Sequence, residues 1–339
     1  MDRRPRSWWP WIYALVALMP ATWAAFRSNV NPRARVPDMV TGVAYRPYVY
    51  RTLVPLAIRG LDALVPAPAR AAADSAVANS PLLRERLRWE PAHATWFAWS
   101  VLLGWLSLIA FAIGFARLLR AVAACDPALA GLATVAPLAA CAMLVLVPIH
   151  FGYQNFVYDF AELALFTLAL AALAASRWPA YYACFALALV NKETSLLLTG
   201  VFAIWHWRRM SARALAAHVA AQFALAALVL GAIRLAYAHA PGEPLEHHLI
   251  RNLTYHPSLR QRLHDAAYVG FWLVALFGVA RQPRVALGAA LVGGALLATM
   301  LFFGFIGEYR DFYEAFALGG LLVAGAVWGT RRTRAAARA

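Results

Sequence analysis

The chemical content of this chain lies in acids and cations placed among apolar residues. Asn155, Asp159 and Glu162 are spaced i, i+4, i+7. On one helix they share a face, with Glu162 about 10 Å below Asn155 at 1.5 Å rise per residue. A charge inside an apolar run costs about 2.5–3.5 kcal/mol on insertion scales, so these acids face either a watery cavity or a cationic partner such as Lys192 or an arginine. Lys192 is the single lysine among 31 cationic residues, which suggests that a compact ammonium is wanted there, against Glu193 or against a phosphate. In the competing reading, Asn191-Lys192-Glu193-Thr194 is a solvated turn, with Thr194 or Ser195 capping the next helix.

Two further groups have the same character. In the string from Tyr45 to Arg51, tyrosines alternate with Arg46 and Arg51, which supplies ring faces for stacking and guanidinium forks for a phosphate. The same residues also suit plain anchoring at lipid headgroups. Glu308 and Arg310 close the set; Arg310 and Glu314 are four apart and suited to pairing, and Asp311 is suited to the start of the last helix. His247-His248, with only Glu243 and Glu246 nearby, is weak evidence for a metal. No metal or other cofactor is expected, though a divalent ion stays open. Cys125, Cys141 and Cys184 have neither C-x-x-C spacing nor an even count, so they imply no disulfide framework and no zinc site.

The elements that must position these groups follow from composition. At 339 residues, 63% hydrophobic and 14% charged, with mean hydropathy +0.59, the chain is too apolar for a soluble domain. It reads as a polytopic, all-α integral membrane protein. A net charge of +15 would suggest nucleic acid in a soluble chain, but here many arginines sit between apolar runs and set topology, so no nucleic-acid partner is expected. Apolar runs predict spans over 8–26, 95–116, 127–150, 155–175, 214–238, 266–280, 285–306 and 312–330. The first run is long enough to span and many others follow, so it reads as a span and not a cleaved leader.

Residues 179–190 and 195–207 are too short to cross alone, and charge parity decides how they run. With a two-helix hairpin over 179–207, the basic clusters at Arg3, Arg4 and Arg6, at Arg117 and Arg120, at Arg177, at Arg208, Arg209 and Arg213, at Arg281 and Arg284, and at Arg331, Arg332, Arg334 and Arg338 all fall inside. The expectation is about ten membrane helices in a single domain over 1–339, both termini cytoplasmic. Twelve helical residues rise about 18 Å, too little to clear a core about 30 Å thick, so the hairpin tip should end inside a cavity. Residues 27–94 form an outer-face segment, with an interfacial helix marked by Leu53, Leu56, Ala57, Leu61 and Leu64 and a connector over 66–80. The unusual polar groups then gather on the outer side.

An Asp38-bearing first outer loop, its interfacial helix, the paired short helices and the outward polar ring together resemble the GT-C superfamily of polytopic glycosyltransferases. The likeness is one of layout, over about residues 8–330. The strings Tyr50-Arg51-Thr52-Leu53-Val54-Pro55, Asn191-Lys192-Glu193-Thr194 and Glu308-Tyr309-Arg310 are similar to those of bacterial relatives of that group. The resemblance implies an enzyme of the bacterial cytoplasmic (inner) membrane that moves a hexosyl or pentosyl unit, on the outer face, from a polyprenyl-phosphate carrier to a glycan, lipid or protein acceptor. It implies Asp38 as general base, with Arg51, Lys192 or Arg310 holding the carrier phosphate. The chain departs from the group in having no paired-acid motif around Asp38. A transporter or lipid-linked sugar flippase, and a non-catalytic subunit of an envelope-glycan complex, are the alternatives.

Overall fold

Every regular element among the described residues is helical. The computed structural model describes residues 8–150, 154–243 and 247–329; Tyr153, Glu246, the N-terminal arginines and the cluster from Arg331 to Arg338 lie outside the described residues. In chain order the helices are α1 (Trp9–Ala25), α2 (Val36–Thr41), α3 (Leu53–Asp62), α4 (Ala67–Ala78), α5 (Ala94–Cys125), α6 (Gly131–Leu146) and α7 (Asp159–Ala174). Then follow α8 (Trp178–Asn191), α9 (Leu197–His206), α10 (Ala212–Ala236), α11 (Leu249–Leu253), α12 (Leu259–Leu276), α13 (Pro283–Phe303) and α14 (Tyr313–Trp328). Local signals explain several starts. Ser211 and Ser258 cap α10 and α12 by accepting the backbone N–H of Ala214 and Gln261, and Pro10, Pro179 and Pro283 stand in first turns where a missing N–H costs nothing.

This is a membrane protein by length and apolarity of its helices. Among the described residues, six helical segments are long and apolar enough to cross a bilayer, those built on α5, α6, α10, α12, α13 and α14. A helix stands at each of the ten places where the sequence suggests one, but α1, α7, α8 and α9 have 17, 16, 14 and 10 residues and fall short of that length. One expectation is corrected outright. The stretch read as a connector, 66–80, holds the alanine-rich helix α4, started by Pro66 and Pro68 and packed on α5.

The core is built round α7, whose residues are all buried apart from the partly exposed Leu165 and Leu168. It lies along α5, with α8, α14 and α9 on its other sides. At the opposite extreme, α10 buries only Gln222 and Ala226 and leans on α8 and α9, leaving Leu228 and Leu235 exposed on its far face. In water such a face would be a liability; against lipid tails it is the expected covering.

The short hairpin exists as α8 and α9. After Asn191 the chain turns extended at Lys192 (φ −159°, ψ 134°), passes through a 3-10 turn over Glu193–Leu196 and re-enters helix at Leu197. Neither Thr194 nor Ser195 caps α9; both hydroxyls are engaged elsewhere.

Candidate functional site

The hairpin tip and the first loop are brought together by backbone. Thr52 donates its N–H to the carbonyl of Val190 at 3.1 Å, and its hydroxyl reaches the same oxygen at 3.3 Å. This pins Arg51 over the tip. Lys192 Nζ lies 3.0 Å from Glu314 Oε1, and Thr194 donates its hydroxyl to the same oxygen. Glu193, between them, meets Arg51 at 3.3 Å. The base of the tip is held by Glu162, whose carboxylate accepts from Asn191 Nδ2 at 3.1 Å and Ser195 Oγ at 2.6 Å.

Arg51 is enclosed on its remaining sides. It donates to the Tyr158 hydroxyl, its guanidinium lies 4.6 Å from the Tyr158 ring centre and 5.6 Å from that of Tyr48. Burial works against its charge, but the Tyr158 oxygen and the Glu193 carboxylate outweigh that and hold its pKa above the ordinary value. Burial also pushes the Tyr48 phenol up.

A second group centres on Arg310. Its guanidinium lies 2.5 Å from Glu308, 3.5 Å from Asp311 and 3.6 Å from Asp159, and stacks 4.1 Å from the Phe156 ring centre. Gln154 donates to the other oxygen of Glu308 at 2.7 Å, while Asp159 accepts the N–H of Phe156 at 2.7 Å. The pairing of Arg310 with Glu314 suggested by their spacing does not form. Glu314 faces Lys192 instead, one turn further along α14. Arg51, Lys192 and Arg310 are thus each matched to carboxylates at 10% side-chain exposure or less, as buried charges must be.

Both groups border one cavity of about 230 Å³. Its polar lining carries Arg51, Lys192, Glu193, Glu308, Arg310 and Asp311. The lining also includes an apolar group, Leu230 and Ile233 from α10 and Leu296, Met300 and Phe303 from α13. These two helices both pack on α9 and hardly touch one another, and residues of both line the cavity near the tip, where α9 begins. Arg234, at the mouth, is exposed and has no ion pair among the described residues. The space therefore fits a ligand with an anionic head and a greasy tail.

No family model, curated protein or solved structure matches this chain.

Of the residues singled out from sequence, Arg51, Lys192, Glu193, Glu308 and Arg310 meet at the cavity, and Asp159 and Glu162 lie directly beneath it as the partners of Arg310 and of the tip. Asp38, Tyr45, Arg46 and Asn155 do not border it. Asp38 stands in the first turn of α2 and engages Gly42, Val43 and Ala44 through its backbone carbonyl. Arg46 donates to the carbonyls of Ala238 and Gly242, tying the first loop to the segment after α10. Tyr45 lies under Arg33. Asn155 precedes α7 and shares no helical face with Asp159; its N–H bonds the carbonyl of Arg27. His247 and His248 lie tilted against the rings of Phe303 and Phe305, and no group of metal-ligating side chains forms among the described residues. Tyr158 and Arg234 are site residues that sequence reasoning passed over, and the sequence suggests Ser195 only as a helix cap. Arg234 alone left a signal, a cation interrupting the end of an apolar run; the others are ordinary polar residues until the fold supplies their partners.

Proposed function

We propose that this protein is a GT-C-like glycosyltransferase that moves a sugar from a polyprenyl-phosphate carrier to an acceptor at the outer face of a bacterial cytoplasmic membrane. The observation that carries the reading is the mixed lining of the cavity, with cations and their carboxylates together with apolar residues of α10 and α13. A carrier with a phosphate head and a polyprenyl tail has both characters. Its tail lies against Leu230, Ile233, Leu296 and Phe303, while the exposed Arg234 meets the phosphate and steadies it as it leaves. Ten helices embed in the bilayer, six crossing on their own length and α1, α7, α8 and α9 completing the bundle around them. From the cytoplasmic side, the 10 residues of α9 rise about 15 Å, which puts the hairpin tip near mid-membrane and the cavity in the outer half.

The test is a lipid and glycan analysis of the producing cell after gene deletion. The expected result is accumulation of one polyprenyl-linked sugar and loss of that sugar from an envelope product, both restored by the wild-type gene and not by Arg234→Gln at equal protein level. A deletion strain with carriers and glycans unchanged removes the sugar chemistry and turns attention to transport.

A further inference from the structure

We infer that Glu193, oriented by Arg51, is the carboxylate that takes the proton of the acceptor hydroxyl. The assignment rests on the proposed transfer reaction and deepens it by naming the group that activates the acceptor. Among the described residues three carboxylates border the cavity, and their surroundings separate them. Glu308 is committed on both oxygens, to Gln154 at 2.7 Å and Arg310 at 2.5 Å, with a side chain only 4% exposed. Asp311 is 24% exposed and stands 3.5 Å from the buried guanidinium of Arg310. Glu193 is the most open of the three at 36% side-chain exposure, and Arg51 holds it by Oε1 at 3.3 Å.

Backbone geometry supports the same choice. Lys192, Glu193 and Thr194 all border the cavity, but Lys192 and Thr194 engage Glu314 whereas Glu193 meets Arg51. The tip thus anchors to α14 through Lys192 and Thr194 while Glu193 presents a carboxylate beside the cations. Arg51 is itself fixed by Tyr158 and by the Thr52–Val190 backbone bond, so Glu193 is held in place before any acceptor arrives, as a general base must be. Asp38, in α2, does not border the cavity.

The step balances. The acceptor O–H gives its proton to the Glu193 carboxylate, and the acceptor oxygen forms a bond to the anomeric carbon. The bond from that carbon to the carrier phosphate oxygen breaks, and its electron pair leaves with the phosphate. The carboxylic acid of Glu193 then returns its proton to water. Arg51 is a positioning residue in this scheme, acting through Glu193.

The experiment uses the polyprenyl-linked sugar that accumulates in the deletion strain, extracted and supplied to full-length protein in proteoliposomes with acceptor membranes from the same cells. Release of polyprenyl phosphate is the readout. Glu193→Gln is expected to slow turnover by about 10²–10⁴-fold, the usual worth of a general base, while its affinity for added undecaprenyl phosphate stays within about twofold, too small a change to matter beside that loss. Glu193→Asp keeps the charge for Arg51 but withdraws the oxygens by one methylene, so it should bind the carrier normally and turn over at an intermediate rate. This second variant keeps the test decisive if the amide disturbs folding. Glu193→Gln turning over at the wild-type rate while Asp38→Asn does not would overturn the assignment and leave the transferase reading standing. If the deletion strain accumulates no polyprenyl-linked sugar, both fall together.

Discussion

A buried carboxylate at this site is worth what it is paired with. Lys192 and Glu314 are 3% and 0% exposed and 3.0 Å apart, so Lys192→Met leaves Glu314 with only the Thr194 hydroxyl. Breaking such a pair from one side costs about 3–5 kcal/mol, whereas replacing both partners by apolar groups is often close to neutral. The expected outcome is a large loss of monodisperse protein after heating in detergent for Lys192→Met, largely recovered in Lys192→Met/Glu314→Leu. Glu162 makes a complementary case. It receives Asn191 and Ser195 on its two oxygens, and an amide replacing it can accept from one and donate to the hydroxyl oxygen of the other. Glu162→Gln should therefore melt near the wild type in the same assay, while Glu162→Leu leaves buried polar groups unmet and loses about 1–3 kcal/mol for each.

Elements meet closely here where a side chain is absent. Helices α12 and α14 pack against each other, and at Gly278, just past α12, an added Cβ would collide with the backbone carbonyl of Leu322 in α14. Backbone cannot step aside as a side-chain tip can. At Gly200 on α9 the obstacle is the terminal methyl of Leu291 on α13, and that side chain is 39% exposed with room to rotate. Gly278→Ala should thus lower the melting midpoint markedly and Gly200→Ala only slightly, measured side by side by size-exclusion after graded heating. Small residues at helix contacts serve this role generally in membranes, where close backbone approach replaces the hydrophobic drive.

At the scale of the molecule, the proposed function depends on where the hairpin tip lies relative to the bilayer. In a variant lacking Cys125, Cys141 and Cys184, a membrane-impermeant thiol reagent applied to intact cells should label cysteine introduced at Thr194 or Tyr309 and leave cysteine at Arg208 or Arg332 unlabelled. Labelling confined to the second pair would reverse the bundle and place the cavity inside. The structural basis is that Thr194 adjoins the cavity, whereas Arg208 follows α9 at the other end of the hairpin.

Sequence alone established the all-helical membrane class, the places of the ten principal helices and the break between α8 and α9, because each rests on local apolar length and on a charged tetrad within it. It also singled out Arg51, Lys192, Glu193, Glu308 and Arg310, since an ionised group in an apolar chain is costly wherever it falls. It did not settle partners. Glu314 is four residues from Arg310 and yet faces Lys192, 122 positions away in the chain, and Arg51 reaches Tyr158 only because Thr52 hydrogen-bonds Val190. Asp38 and Arg46 carry the same residue types as the site and are drawn elsewhere by α2 and by the segment after α10. Spacing along one helix specifies a face, but which face meets which neighbour is set by packing among helices, and that is a property of the whole bundle.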